Sequence, residues 1–427
     1  MIMRSSDATI SQPTINKEKS RWLDRLARKA VHNHLRRMQK GELVIREDKV
    51  EYYFGQRSQD CSLCVTIDIQ DFRFYSDIAF AGSVGAGEAY MQGFWTCSDL
   101  TSLVRLLLIN RDVLDSMDQS LSRLKAPLNK LLHWLNRNTR RGSRRNIEAH
   151  YDLGNQLFEQ FLDPTLMYSA AYYQTPAMSL EQAAITKLDR ICLKLELAPE
   201  DHVLEIGTGW GGFAIHAAQH YGCHVTTTTI SQQQYELASQ KVQKAGLEDR
   251  ITVLLNDYRD LQGQFDKVVS IEMVEAIGHQ YLNTYFSKCN HLLKPDGMML
   301  LQAITITDQL YQAALQDVDF IKRHIFPGGF LPSISVMTGS IAKVTDMKLF
   351  HLEDIGPHYA TTLRDWRQRF FNNIEQVMAL GYTDTFSRMW DYYLCYCEGA
   401  FMERAIGTVQ MLLVKPDCRR TPVQLPE

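Results

Sequence analysis

From residue 202 onward, short apolar segments alternate with segments in which apolar residues recur at helical spacing. This alternation limits the fold more than any other feature of the sequence. Strands separated by helices need crossover connections, so the pattern predicts a parallel, doubly wound sheet of the α/β class. The predicted strands are 202–206, 224–229, 251–255, 267–271, 298–304 and 408–414, and the main predicted helices are 213–220, 232–245, 281–292 and 391–401.

A glycine-rich turn, Glu-Ile-Gly-Thr-Gly-Trp-Gly-Gly at 205–212, follows the first predicted strand. Glycines let the backbone approach a ligand at the carboxyl end of a strand, where open α/β sheets bind ligands. Dinucleotide enzymes share such a turn but usually have an acidic residue after the second strand, where this chain has Thr-Thr-Thr-Ile-Ser at 227–231. After the third strand, Asp257 could accept from an adenine amino group and Tyr258 could stack beside the base. The combination favours S-adenosylmethionine over NAD.

The front of the chain is basic and the rest is acidic. Residues 1–150 hold 24 Lys and Arg against 17 Asp and Glu, whereas the whole chain has a net charge of −3. A basic front favours an anionic partner, and charge alone does not separate nucleic acid from an anionic bilayer. The segment 20–37 has apolar residues at helical spacing with arginines between them. We interpret it as a basic amphipathic helix packed on its own domain, with membrane docking as the alternative.

Four regions are predicted along the chain. Residues 1–19 are expected to be disordered, 20–115 to form a small α+β domain, 116–146 to form a basic helical linker, and 147–427 to form the catalytic domain. No segment resembles a secretory signal or reaches the ~18 apolar residues of a membrane span, so we expect a cytoplasmic protein. The pair Cys61-x-x-Cys64 lacks the further ligands of a zinc site, so no metal is predicted.

A set of motifs follows in a fixed order over about residues 145–415. They are HYDLGN at 150–155, MYS at 167–169, the turn at 203–212, TIS at 229–231 with Gln234, DYRD at 257–260, SIEMVE at 270–275, IFPGG at 325–329, YATTL at 359–363 and CEGAF at 397–401. This set closely resembles the cyclopropane-fatty-acyl-phospholipid synthases, a branch of the class I methyltransferases that includes the mycolic acid cyclopropane synthases. The resemblance implies a Rossmann-like catalytic domain with a mostly parallel seven-stranded sheet, preceded by a small α+β domain.

The resemblance also implies a reaction. The methyl group of S-adenosylmethionine passes to a cis double bond of an acyl chain in a phospholipid, and the resulting carbocation loses a proton as a cyclopropane ring closes. A hydride shift before proton loss would give a methyl-branched chain instead. Water would trap the cation, so the pocket should be apolar and dry. The implied partner is unsaturated phospholipid in an anionic bilayer, with the protein held peripherally at the inner face of the membrane; a homodimer would double the contacts.

In this family a bound bicarbonate takes the proton. Carried over by position, the resemblance implies Glu275, Tyr359 and the backbone amide of Ile304 as ligands of that anion. Two positions depart from the family, since Ala170 stands where many members have Cys and Gln302 where many have His. Gln can donate to an anion but cannot titrate, so an altered anion site is expected.

Other site residues are also implied by position. Cys397 matches an active-site cysteine of the family, and we interpret it as lining the site, because a cationic mechanism needs no thiolate. The rings of Tyr168, Phe326 and Tyr359 could stabilise a cation. The residues expected to bind S-adenosylmethionine are Tyr168, Ser169, Glu205, Gly207, Gly209, Thr229, Ile230, Gln234, Asp257, Tyr258 and Ile271.

Two other classes of function stay open. A nucleic-acid methyltransferase would use the basic front for phosphates, but such enzymes usually carry an Asn/Asp-Pro-Pro-Tyr motif or a catalytic Cys after the fourth strand. This chain has Glu-Met-Val-Glu at 272–275 there, so no nucleic-acid partner is predicted. A non-catalytic lipid-binding protein would follow if the altered anion site had lost activity.

Overall fold

The computed structural model describes residues 22–113 and 153–425. These residues form two compact units. The N-terminal unit contains the described residues up to 113 together with Asp384–Tyr392, and the sheet unit contains 153–383 and the residues from Tyr393 onward. The segment 1–19, the linker 116–146 with its arginines, and the first motif up to residue 152 lie outside the described residues. The domain boundaries predicted there stay predictions.

The N-terminal unit is a small α+β unit. Its elements are α1 (Trp22–Leu35), β1 (Gly41–Glu47), β2 (Val50–Gln56), β3 (Cys64–Ile69), α2 (Arg73–Met91), β4 (Trp95–Cys97) and α3 (Leu100–Ile109). The strand order is β2-β1-β3-β4, with β1 antiparallel to β2 and parallel to β3. The expected amphipathic helix is α1, which buries Ala27 and Val31 and exposes Trp22 and Leu26. Strand β2 was not predicted, because most of its side chains are at least partly exposed and give no apolar alternation.

The sheet unit contains the predicted parallel sheet. Its strands are β5 (His202–Ile206), β6 (His224–Thr229), β7 (Ile251–Leu255), β8 (Phe265–Ile271), β9 (Leu293–Ile306), β10 (Lys348–Asp354) and β11 (Ile406–Val414). They lie in the order β10-β11-β9-β8-β5-β6-β7, and β11 is antiparallel to both of its neighbours while the other pairs are parallel. The mostly parallel, seven-stranded class I fold is therefore confirmed. Strand β10 was missed because its side chains are only half-buried.

Helices cover both faces of this sheet. The helices of the sheet unit are α4 (Asn155–Glu159), α5 (Leu180–Lys194), α6 (Gly212–Tyr221), α7 (Gln232–Ala245), α8 (Leu282–Leu292), α9 (Asp308–Gln316), α10 (Ile334–Val344), α11 (Gly356–Asn372) and α12 (Ile374–Ala379), and α13 (Asp384–Met402) has its residues up to Tyr392 in the N-terminal unit. The sheet has a hydrophobic core on each face. Successive residues of β9 contribute to them in turn, since Met298 and Leu300 belong to one buried cluster and Met299 and Leu301 to the other. The carboxyl ends of β5, β6, β7 and β8 share one edge, where such sheets bind ligands.

The described ranges contain neither a membrane-spanning helix nor a cluster of metal ligands. In 22–113 and 153–425, no helix is long and apolar enough to cross a bilayer. In the same ranges, no group of His, Cys, Asp and Glu side chains is arranged to hold a metal ion. Cys61 is buried, Cys64 is exposed, and both are free thiols.

Candidate active site

The glycine-rich turn lies at the carboxyl end of β5 and is fixed to the neighbouring strand β6. The backbone amides of Gly207 and Thr208 both donate to the carbonyl oxygen of Thr228, at 3.0 and 3.1 Å. Gly207 has a φ of +104°, which side chains rarely allow, and a Cβ there would lie 3.3 Å from Met273. No heavy atom lies within 4 Å of a Cβ built on Gly209 among the described residues. The turn therefore presents bare backbone to a ligand at the sheet edge.

Hydroxyl groups at the end of β6 order the polar side chains beside the turn. Thr227 donates to Glu205 at 2.6 Å, and Thr229 donates to Gln234 at 2.7 Å. Burial raises the pKa of Glu205 to about 8, against the opposing bond from Thr227. Glu205, Thr229 and Gln234, all expected at the cofactor, thus lie together at this edge, and Ile230 follows β6 directly.

The expected adenine contacts follow β7. The carboxylate of Asp257 accepts two hydrogen bonds from Arg259, from Nε at 2.8 Å and from Nη2 at 2.5 Å. This ion pair was not predicted, and it fixes the orientation of a carboxylate that still has lone pairs for a ligand. Tyr258 packs edge-on against Tyr285, with 5.6 Å between ring centroids. Ile271 ends β8, the strand beside β5.

The carboxylate of Glu272, directly after β8, is the centre of the second half of the site. Tyr359 Oη donates to its Oε2 at 2.8 Å, and Gln302 Nε2 donates to its Oε1 at 2.7 Å. The backbone amide of Ala170 donates to the same Oε1 at 3.0 Å. Glu272 has a φ of +51°, a left-handed backbone that non-glycine residues adopt at some energetic cost. The resemblance implies Glu275, Tyr359 and Ile304 as ligands of one anion, and in the structure the carboxylate beside Tyr359 and Gln302 belongs to Glu272.

Glu275 lies one short helical turn further along and faces another group. It belongs to the 3₁₀ turn Val274–Ala276, which directs its Oε1 to the backbone amide of Ile304 at 2.5 Å. Its Oε2 is enclosed and has no hydrogen-bond partner among the described residues. Glu275 and Ile304, which the resemblance implies as two ligands of one anion, are therefore bonded directly to each other.

Two carboxyl groups close together in an enclosed site have different pKa values, because the charge on one disfavours ionisation of the other. Burial, followed by the negative charge of Glu272, raises the pKa of Glu275 to about 8. Burial also raises the pKa of Glu272, but the bonds from Ala170, Gln302 and Tyr359 oppose that rise. The three donated hydrogen bonds favour the ionised form of Glu272, whereas Glu275 accepts only one from the described residues and its raised pKa favours the protonated form.

Bicarbonate does not fit these residues. The implied donors are already used, because Gln302 and Tyr359 donate to the Glu272 carboxylate and the amide of Ile304 donates to Glu275, and the amide of Ala170 also donates to Glu272. A further anion would lie in a low-dielectric site beside two carboxyl groups, which is strongly unfavourable. We therefore derive no step through bicarbonate.

A buried lysine also faces this site, and the sequence reasoning missed it. Lys187 on α5 is fully buried, and its Nζ donates to Ser169 Oγ at 2.9 Å. Burial lowers the pKa of Lys187 to about 8, and the charges of Glu272, Asp163 and Glu205 oppose the decrease. The signal was present in the sequence, because Lys187 falls on the apolar face of α5, four residues before Ile191. Lys187 thus supplies a positive charge to the negative pocket and orients the expected cofactor residue Ser169.

Aromatic rings line the same region. The hydroxyls of Tyr168 and Tyr393 are 3.0 Å apart, and the Tyr168 ring lies 6.2 Å from Phe326 and 5.2 Å from Trp366. Burial raises the pKa of the Cys397 thiol far above its usual range, so this thiol stays protonated. The ring of Tyr359 stacks on that of Phe401. The Tyr359 ring also lies 6.0 Å from Trp366, so ring contacts join Tyr168, Phe326 and Tyr359 into one aromatic cluster suited to a cation.

The chain matches a known family over most of the sheet unit. The family model described as Mycolic acid cyclopropane synthetase matches residues 138–411. The chain belongs to this family. The tuberculostearic acid methyltransferase of Mycobacterium tuberculosis is 37% identical over 352 residues, which cover 78% of this chain and 79% of the relative. The cyclopropane-fatty-acyl-phospholipid synthase of Escherichia coli is 36% identical over 353 residues, which cover 81% of this chain and 87% of the relative.

Solved structures of the family agree with the fold. A mycolic acid cyclopropane synthase complexed with SAH and CTAB has a TM-score of 0.60 and 32% identity, covering 64% of this chain and 98% of that chain. This protein is therefore an S-adenosylmethionine-dependent methyltransferase. The resemblance inferred from the motifs is confirmed.

Proposed function

We propose that this methyltransferase transfers the methyl group of S-adenosylmethionine to the cis double bond of an unsaturated acyl chain in a phospholipid, and that Glu272 accepts the proton that the product releases. The observation that carries the proposal is the Glu272 carboxylate held by Tyr359, Gln302 and the Ala170 amide. Met273, the next residue, lies against Gly207 of the glycine-rich turn. A fixed proton acceptor therefore adjoins the backbone that would hold the methyl donor.

The reaction needs an electrophile and a water-free site. S-adenosylmethionine supplies a methyl group on a positively charged sulfur. The rings of Tyr168, Phe326 and Trp366 exclude water and present their negative faces to the positive charge that develops on the substrate. The alkene π electrons form the new bond to the methyl carbon, which leaves a cation on the other alkene carbon.

Proton loss completes the reaction. Glu272 takes a proton from the new methyl group, and the electrons of that C–H bond form the bond to the cationic carbon that closes a cyclopropane ring. The donors on Tyr359 and Gln302 keep the carboxylate in place before the transfer. The raised pKa of Glu275 favours its protonated form, which leaves Glu272 as the proton acceptor.

A methyl-branched product is the second candidate. The relative in Mycobacterium tuberculosis that is 37% identical is a tuberculostearic acid methyltransferase, and its name describes methyl transfer. A hydride shift in the substrate cation before proton loss would give this outcome, with the same proton acceptor. Both candidates share methyl transfer to the double bond. They differ in the hydride shift and in the last bond formed, which closes a ring in the first case and makes the double bond of a branched alkene in the second.

Contact with a bilayer is part of the proposal, because the double bond lies inside one. Helix α1 exposes Trp22, Leu23 and Leu26 on the side opposite its buried residues, and Arg25 and Lys29 are exposed nearby. An apolar strip with cations beside it suits peripheral docking on an anionic surface, at roughly 1 kcal/mol for each well-placed cation. A homodimer would double these contacts, and light scattering of the full chain tests it.

The deciding experiment uses the full chain, vesicles of monounsaturated phosphatidylglycerol and phosphatidylethanolamine, and S-adenosylmethionine with a deuterated methyl group. We expect SAH and a lipid that has gained one methylene unit carrying two deuterium atoms. Chemical derivatisation followed by mass spectrometry separates a ring from a branched alkene. Vesicles of fully saturated lipid are the control, and SAH formation without any modified unsaturated lipid would refute the proposal.

A further inference from the structure

A continuous row of buried polar side chains leads from α5 through the sheet to Glu272. Lys194 Nζ donates to Gln410 Oε1 at 2.6 Å, and Gln410 Nε2 donates to Gln302 Oε1 at 2.9 Å. Gln302 Nε2 then donates to Glu272 Oε1 at 2.7 Å. Gln302 and Gln410 are register partners on β9 and β11, and at most 1% of either side chain or of Lys194 is exposed. Three hydrogen bonds thus join an ammonium group to the carboxylate of the site.

The direction of every bond in this row is set by its two ends. An ammonium group can only donate, so Gln410 must turn its oxygen to Lys194 and its amide nitrogen to Gln302. Gln302 must then turn its oxygen to Gln410 and its nitrogen to Glu272. An ionised carboxylate can only accept, which suits the last bond. Each bond polarises the next, because charge shifts along the row in one direction.

We propose that Lys194, Gln410 and Gln302 form a polarised hydrogen-bond relay that holds Glu272 in its proton-accepting form, so that Lys194 and Gln410 are positioning residues for the reaction. This proposal rests on the proposed function of Glu272. A buried ammonium and two buried amides are costly within an otherwise apolar core, and apolar side chains of similar volume would satisfy packing alone. The row is therefore best explained by what it does to the group at its end.

Other charges bear on both ends of the relay. Glu353 on β10 pairs with Lys194 and with Arg190, at 2.5 Å each, and so anchors the ammonium end. Burial lowers the pKa of Lys194 to about 8, and Glu353 opposes the decrease. The remaining titratable groups facing Lys194 are His351 on β10 and Arg420, and those facing Glu272 are Lys187, Glu275, Tyr359 and Tyr393.

The sharpest test interrupts the relay without changing its shape. In Gln410→Glu, the new carboxylate still accepts from Lys194 but can no longer donate to Gln302. The Gln302 amide then has a carboxylate on each side and can donate to only one of them, so its bond to Glu272 is weakened or lost. We expect kcat to fall by about 10- to 100-fold, the range set by one charge-assisted hydrogen bond. Since the ionised form of Glu272 loses stabilisation, the acidic limb of the kcat–pH profile should move to higher pH by about one unit.

Companion variants separate a relay from packing. Lys194→Met should cause the same shift of the acidic limb, and Lys194→Arg, which keeps a donor, should restore most of the activity. Leu412→Ala is the matched control, because Leu412 is fully buried on β11 two residues from Gln410. It should lower the melting temperature and leave the acidic limb in place. Affinity for S-adenosylmethionine, measured by calorimetry, should not change in Gln410→Glu or Lys194→Met.

A measurement without turnover keeps this proposal separate from the proposed function. The carboxyl band that Glu272→Gln lacks can be followed by infrared spectroscopy during a pH titration of each variant. We expect its midpoint to lie at higher pH in Gln410→Glu and Lys194→Met than in the unaltered chain. An unchanged midpoint in both, or a loss of activity no different from that of Leu412→Ala, would overturn the relay. Absence of any lipid product from the unaltered chain would instead overturn the proposed function.

Discussion

Replacement of Glu272 by Gln is the most direct test of the site. The change keeps the shape of the side chain and removes only its charge and its ability to accept a proton from carbon. The new amide oxygen can still accept from Gln302 and the Ala170 amide, and Tyr359 can accept from the new amide nitrogen instead of donating. The fold should therefore tolerate the substitution, with a melting temperature near that of the unaltered chain.

The expected loss of activity follows from the role of the group. A positioned proton acceptor contributes about 10²- to 10⁴-fold to a reaction, which corresponds to about 3–5 kcal/mol of the barrier. We expect kcat to fall by this factor while affinity for S-adenosylmethionine stays within about twofold, since Glu272 touches proton-handling groups and not the glycine-rich turn. Activity of the unaltered chain should also fall at low pH, because protonation of Glu272, whose pKa burial raises, removes the acceptor.

The assay is product formation from unsaturated vesicles together with calorimetry of S-adenosylmethionine binding. Glu275→Gln is the matched control, because an amide closely mimics the protonated carboxyl group that we assign to Glu275, and it should lose less activity than Glu272→Gln. In Glu272→Ala, the donors on Tyr359, Gln302 and Ala170 lose their acceptor, so added formate should restore part of the activity. Full activity of Glu272→Gln, or a larger loss in Glu275→Gln, would refute the assignment.

Three further perturbations test other parts of the site. Gly207→Val places a branched side chain at a φ of +104° and against Met273, so binding of S-adenosylmethionine measured by calorimetry should be lost while circular dichroism stays native; retained affinity would exclude the turn as the cofactor site. Lys187→Met removes a cation near Glu272, so the acidic limb of the kcat–pH profile should move to higher pH; an unmoved limb would make Lys187 purely structural. Trp22→Ser combined with Leu26→Ser should weaken binding to anionic vesicles, measured by sedimentation, by about tenfold or more. Activity on detergent-dispersed lipid should be spared, since both side chains are exposed and do not form part of the core. Equal losses of activity on vesicles and on detergent-dispersed lipid would contradict surface docking.

Much of the fold could be predicted because buried parallel strands leave a strong trace in the sequence. Strands β5, β6 and β7 were predicted with the bounds that the structure has, since each is a short apolar or β-branched run between turn residues. Strand β10 has no such trace, because it borders the sheet, is half-buried, and reads Lys-Leu-Phe-His-Leu-Glu-Asp. Pairing with β11 makes it a strand, and that contact is not local in the sequence.

The site was predicted less completely, for a geometric reason. The segment 270–275 contains two glutamates three residues apart, and composition does not tell which one meets Tyr359. The left-handed backbone of Glu272 turns that side chain toward Gln302, while the following 3₁₀ turn directs Glu275 to Ile304. Backbone conformations of this kind depend on surrounding packing and leave no local signal.

The proposed reaction moves one positive charge through the site without changing the total charge. Within the described residues, Glu272 lies near one buried cation, Lys187, while burial raises the pKa values of Glu205 and Glu275 to about 8 and so favours their neutral forms. In the proposed reaction the positive charge moves from the donor sulfur to a substrate carbon, and the proton then carries it to Glu272. The site thus holds the same total charge at each step, and the final step leaves Glu272 neutral. A neutral Glu272 has no charge to repel a carboxylate, so ionisation of Glu275 becomes less costly as the product forms. The proton must then leave Glu272 before binding of another cationic methyl donor is favoured. A carboxylate that belongs to the chain can therefore link proton release to the binding of the next cofactor molecule. A diffusible anion acting as the base would not need this link.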